Sequence, residues 1–258
     1  MCYDVHASLK SQLKRAKHYG NKEAIKEIEE KIVPQTELPL FHAQGQAHKK
    51  LLIYTDKQPE YPTVSTWGLV PSWVKDTEQL KKFWNNTLNA RGETIFEKPS
   101  FRYSAKNRRC LIYIDGFYEH HHFNKKTYPF HIHRKDGEPL ILAGLWNEWT
   151  DKQTGEILNT FSIVTTEGNS LLSGIHNNPR LKGPRMPVIL PDEIADNWLN
   201  PINDELDQKA IQELIRPYPD SELDYYTVDR LRGKAYIGNK EEITHKFEYE
   251  ELEYDFND

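Results

Sequence analysis

Residues 109–123 read RCLIYIDGFYEHHHF. The first six carry the β-branched and aromatic side chains of a strand. Asp115-Gly116 breaks the run, and an aromatic stretch ending in three histidines follows. Downstream, TYPFHIHRKDGEPLILAGLW (127–146) continues in β, with Lys135-Asp136-Gly137-Glu138 as a hairpin turn signal, and NTFSIVTTEG (159–168) is another strand. Upstream, KKLLIYTD (49–56) reads as a strand, and STWGLVPSWV (65–74) is Trp-rich and interrupted by Pro71. Helical patterns flank this β region. Leu9, Leu13 and Ala16, then Ala24, Ile25, Ile28 and Ile32, recur at helical spacing over 7–32, split at Gly20-Asn21 and ended by Pro34 and Pro39. Shorter helices are predicted over 76–84, over 190–200 with Asp192 near the start, and over 204–219. The expected fold is one α+β domain, β-dominated, with helices at both ends.

The 258 residues suffice for a core without staples, and an aromatic content of 12% fills it despite only 37% hydrophobic residues. No apolar run is long enough for a membrane span, and the N-terminus has no signal-peptide core, which points to the cytoplasm. Two distant cysteines fit a reducing compartment. Residues 241–258 hold eight acids and one lysine, a net of −7 against −5 for the whole chain, which leaves the first 240 at about +2. The chain therefore divides into a body over 1–240 and an acidic tail over 241–258. The tail reads either as a solvated end or as a competitor with a polyanion for a basic groove.

Several residues could carry chemistry. Loss of Met1 would leave Cys2 with an α-amine and a thiol on one Cα. An amine can form an imine with an aldehyde, and the adjacent thiol can then close a thiazolidine ring, which an internal cysteine cannot do. A plain thiolate nucleophile or an inert small hydrophobe are the alternatives for Cys2. Asn89, Arg91 and Glu93 share a face if extended. An amide beside a guanidinium suits an oxygen-rich anion, although Arg91 and Glu93 can also pair across a turn. Glu119 follows a buried-looking strand beside Phe117 and Tyr118, as an acid/base carboxylate or an outward-facing strand residue. His120 and His122 share a strand face, with His131 and His133 nearby, but nothing completes a metal site of known spacing, so no metal and no cofactor is expected. His176 precedes a loop carrying Arg180, Lys182 and Arg185, which suits proton transfer beside phosphates or is a solvated basic loop.

In this order, Met1-Cys2, WGLVPSW (67–73), LNARGET (88–94), FR (101–102), RRCLIYIDGFYE (108–119), LAGLW (142–146), TT (165–166), IHN (175–177) and RMPVIL (185–190) resemble the SRAP (SOS response-associated peptidase) domain family, the abasic-site processing proteins. The resemblance spans most of residues 1–200. It implies an α+β pseudo-barrel and covalent capture of abasic sites in single-stranded DNA. It also implies roles: Cys2 as nucleophile, Asn89 polarising sugar oxygens, Glu119 as acid/base, and His176 assisting ring opening and reversal of the crosslink. Arg91, Arg185 and Arg102 would contact phosphate, while Trp67, Pro71 and Trp73 would wall a groove for splayed bases. The expected protein is a monomer with single-stranded DNA as partner and no membrane partner. The chain departs from the family in three places. Tyr3-Asp4 replaces Gly-Arg of the usual MCGR start, removing a cation near the nucleophile. Phe41-His42-Ala43-Gln44 poorly matches Asn-Val-Ala-Pro, and His120 stands where Trp usually follows the Glu. Two other classes compete: a thiol peptidase or amidohydrolase using Cys2, and a noncatalytic single-stranded DNA binder.

Overall fold

A computed structural model describes residues 2–178, 183–252 and 256. The chain begins with β1 (Asp4–Ala7), α1 (Leu9–Tyr19) and α2 (Lys22–Glu27). Next come β2 (Leu40–Gln44), β3 (Lys50–Thr55), β4 (Gln58–Trp67), α3 (Thr77–Phe83), β5 (Asn89–Arg91) and α4 (Arg102–Asn107). The central strands are β6 (Arg109–Ile114), β7 (Gly116–Phe123), β8 (Lys126–Arg134), β9 (Leu140–Thr150) and β10 (Ile157–Glu167). The chain continues through α5 (Ser170–Ile175), β11 (Arg185–Pro187), α6 (Glu205–Glu213) and β12 (Leu223–Thr227). Among the described residues no helix is long and apolar enough to cross a membrane.

The predicted α+β barrel is present. Strands β10, β4, β3, β6 and β9 pair in that order, and β9 pairs back with β10, closing a ring of five. The β4–β10 contact is parallel and short, Thr66 opposite Thr160 and Trp67 opposite Phe161. Gly68, at φ +120°, then turns the chain away, a conformation that only glycine adopts cheaply. Beyond that point β5 takes over the flank of β10, with Asn89 opposite Ile163. A second, five-stranded sheet runs β12-β8-β7-β1-β2.

The opening stretch joins the two sheets. Its first half is β6 in the barrel and its second half is β7 in the other sheet, with Asp115 alone between them. Alternation along the barrel strands feeds two cores. Leu51, Ile53, Ile112 and Leu142 pack with Phe117, Phe130 and Ile132 of the second sheet. Leu52, Tyr54, Leu111 and Ile141 pack under Leu13 and Ala16 of α1. Ser8 caps α1 by accepting from Ser11 N–H, and Asp115 accepts from the hydroxyls of both serines at 2.8 Å, so the sheet crossing also fixes the helix start.

Several expectations are corrected. Lys135-Asp136-Gly137-Glu138 is a turn, but it links β8 to β9 in different sheets. The hairpin lies at Asn124-Lys125, whose φ values of 47° and 62° suit a tight turn between β7 and β8. Residues 190–200 form turns and a short 3₁₀ segment over Ala195–Leu199. There Trp198 is fully buried and donates to Gly144 O, while Asp192 is drawn off to Arg134 and Lys14. The helix expected over 204–219 stops at Glu213. The acidic tail is packed where it is described: Ile243 and Leu252 are buried, Phe247 N–H donates to Thr227 O, and the Phe256 ring lies against Phe130.

Gly116 makes the sheet crossing possible. A Cβ there would lie 2.5 Å from His131 Nε2 and 2.6 Å from Ile132 O, and the backbone atom has no room to yield. Gly116→Ala is expected to cost about 1–3 kcal/mol, the range for overpacking, measured by urea unfolding at equilibrium.

Candidate active site

Four segments distant in sequence deliver four side chains to one place. β1 lies between β2 and β7, with Asp4 opposite Tyr118, so Glu119 comes beside the N-terminal residues. Asn89, where β5 replaces β4 along β10, donates Nδ2–H to Cys2 O at 2.8 Å. Its Oδ1 is buried with no hydrogen-bond partner among the described residues. His176 ends α5, its N–H donating to Leu172 O, and its Nδ1 lies 3.1 Å from Glu119 Oε2. Both side chains are buried. Asn177 holds this corner in place: its amide accepts from His122 N–H at 2.7 Å and donates to His122 O at 3.0 Å, imitating a strand partner of β7. Sequence reasoning gave Asn177 no role of its own, because only the fold brings it to β7.

Cys2 is fully buried. Burial pushes its thiol well above the usual range, and the negative charges of Glu119 and Asp4 add to that. The thiol is therefore neutral at physiological pH, a poor standing nucleophile. Cys110, the other cysteine, is also buried and free.

Asp4 and His42, two of the positions that depart from the family pattern, are partners. His42 Nε2 lies 2.9 Å from Asp4 Oδ1, and its Nδ1 lies 2.8 Å from the Tyr236 hydroxyl. Arg232 donates from Nη2 to both Asp4 oxygens at 3.0 and 2.8 Å. Asp4 is thus answered by a guanidinium and an imidazole. A cleft of about 420 Å³ opens over Glu119 and His176, lined also by Tyr3, His120, His122 and Arg232. His120 and His122 share a face as expected and are half-buried, while His121 points elsewhere, its Nδ1 at Gly174 O. Burial pulls the His120 imidazole below its usual range, keeping it neutral.

The expected DNA contacts divide. Arg91 is exposed on β5 near Tyr3. Arg185 is engaged instead, bidentate with Glu93 at 2.8 and 3.0 Å and bonded to Thr165 O, so Glu93 pairs with Arg185 and not across a turn with Arg91. Arg102 is exposed at the start of α4, which packs on β6 and β9. Trp67 is a correction: it is fully buried, donates to Leu88 O and stacks on Phe161, so it is core and offers no face to a base. Trp73 is 44% exposed and stacks on Phe83. Pro71 is buried as well. Arg180 and Lys182 lie outside the described residues.

The model of the SOS response associated peptidase family matches residues 1–235. The chain is 35% identical over 210 residues to the abasic site processing protein YoqW of Bacillus subtilis, covering 78% of this chain and 88% of that one. It is 39% identical over 166 residues to the abasic site processing protein YoaM of the same organism, covering 64% and 67%. A crystal structure of a protein from Bacteroides thetaiotaomicron superposes with a TM-score of 0.80 at 33% identity, over 95% of this chain and all of that one.

Burial alone would raise the Asp4 carboxyl, but the His42 hydrogen bond and the Arg232 charge outweigh it and hold it below its usual range. A carboxyl so depressed contributes stability that is complete above the unfolded value of about 3.9 and is lost as pH falls through the folded one. Asp4→Asn should therefore cost about 2–4 kcal/mol at pH 7. The gap to wild type should shrink below about pH 4, as urea melts at the two pH values will read.

Proposed function

The chain belongs to the SOS response associated peptidase family, and from that premise we propose that it captures abasic sites in single-stranded DNA through Cys2 once Met1 is removed. The relatives named for abasic site processing support this substrate class. The observation that carries it is the meeting of Cys2 with Asn89, Glu119 and His176 from four separate segments.

An abasic site in its ring-opened form carries an aldehyde. The Cys2 amine adds to C1′ to form a C–N bond, and loss of one water gives the imine. The thiol then adds to the same carbon, forming the C–S bond and passing its proton to the ring nitrogen. The net change is one water released, with no oxidation or reduction. Glu119 and His176 are placed to carry the protons that opening and dehydration require. Asn89 offers Oδ1 to a sugar hydroxyl while its Nδ2 fixes the Cys2 backbone. The neutral thiol suits this order of events, because it must ionise only when the adjacent imine is positive. A thiol hydrolase would need a standing thiolate, which burial beside Glu119 and Asp4 opposes.

The test mixes Met-free protein with a single-stranded oligonucleotide carrying one abasic site, resolved on a denaturing gel. A shifted band is expected with wild type and absent with Cys2→Ala. Glu119→Gln should slow its appearance by about 10²–10⁴-fold, the range for an acid–base group. An alanine inserted before Cys2 converts the amine to an amide; a band that survives this insertion would overturn the thiazolidine.

A further inference from the structure

The segment after β12 crosses the second sheet and supplies two arginines to the cleft. Leu231 anchors it, buried with Tyr118, Val228 and Ile243. On either side of that anchor, Arg230 and Arg232 line the cleft over Glu119 and His176. Both are held in place. The Arg230 guanidinium lies 5.0 Å from the Tyr128 ring centre and 4.9 Å from that of Tyr249, and it donates to Thr127 O. Arg232 is tied from behind by Asp4 through Nη2 alone. Its side chain is 50% exposed, and its Nη1 and Nε make no hydrogen bond among the described residues.

We propose that Arg230 and Arg232 form a phosphate subsite that holds a phosphodiester of the strand beside the reacting sugar. The inference rests on the reading of the cleft as the abasic-site pocket. A sugar seated against Glu119 and His176 must carry its flanking phosphates through the same cleft. A guanidinium anchored on one edge presents its other donors in a fixed fork, and so meets a phosphate with little ordering cost. The carboxylates nearby leave the outer edge of the Arg232 fork open. Asp4 is buried behind Arg232, and Glu119 faces His176 on the floor. Nucleic acid and free phosphate share the chemistry, and the strand is the occupant proposed.

The experiment measures affinity for a single strand without a lesion between about 50 and 200 mM salt. Each phosphate contact contributes about 0.7 to the slope of log K against log salt. Arg230→Gln and Arg232→Gln should each lower the slope by about 0.7 and weaken binding roughly five- to tenfold at the low-salt end. Arg232→Lys should keep the slope. Adduct formation with free 2-deoxyribose, which has no phosphate, should be unchanged in Arg230→Gln and in Arg232→Lys, which keeps a cation on Asp4, and this also shows that these two variants fold. Unchanged slopes alongside normal adduct formation overturn the subsite and leave the crosslinking function standing. If wild type forms no adduct with strand or sugar, the function falls instead, and an inorganic phosphate titration decides the subsite. Saturable NMR shifts at the Arg230 and Arg232 Nε–H, lost in the Gln variants, retain it as an anion site; no shift overturns it.

Discussion

A buried carboxylate needs its charge answered, and Asp4 draws that answer from two other parts of the chain. His42 comes from β2, Arg232 from the segment after β12, and Tyr236 stands behind His42. Leaving Asp4 unpaired would cost several kcal/mol, so the N-terminal strand, β2 and the C-terminal segment are bound into one arrangement. That arrangement seats β1 against β7 and so holds Cys2 beside Glu119. The unusual residues at positions 4 and 42 are two halves of one device. Taken singly each looks like a loss, and together they neutralise one another and orient a guanidinium toward the cleft.

The barrel was legible because strands such as β6 bury both faces, and apolar runs such as 51–54 and 110–114 announce themselves. What sequence reasoning missed was short or polar. β1 has four residues, and β4 opens with Gln58-Pro59-Glu60, which no strand scale favours. β2 and β12 are five residues each at the two edges of the second sheet. The turn at 135–138 shows another limit. Local chemistry says that the chain reverses there but not which sheet receives it, and the true hairpin at Asn124-Lys125 lacks the glycine that usually signals one. Residues 190–200 have helical periodicity, but burial of Trp198 and the ion pairs of Asp192 override it.

The site was legible as a set of residues but not as a geometry. Cys2, Asn89, Glu119 and His176 stand in motifs that the family resemblance singles out. Nothing in those motifs says that Arg185 is committed to Glu93 or that Trp67 is core. Arg230 and Arg232 carry no local signal, and Asn177 stands in the IHN motif without a role of its own, because their meaning comes from contacts across more than 50 residues.

The acidic tail shows why net charge is a weak guide to partners. Counted as a block, 241–258 looks like a rival for any polyanion site. In the fold its described residues do the opposite. Tyr249 donates to Val228 O and lies under the Arg230 guanidinium, while Glu251 accepts from Lys126 and from the Tyr128 hydroxyl, whose ring lies at the same guanidinium. The tail thereby supports a cation at the cleft rim, using its aromatic faces for that purpose and spending a carboxylate on a lysine outside the cleft. Electrostatic fit to a nucleic acid is decided over a Debye length of about 10 Å. A chain of net −5 can therefore present fixed guanidinium groups where a phosphate would pass.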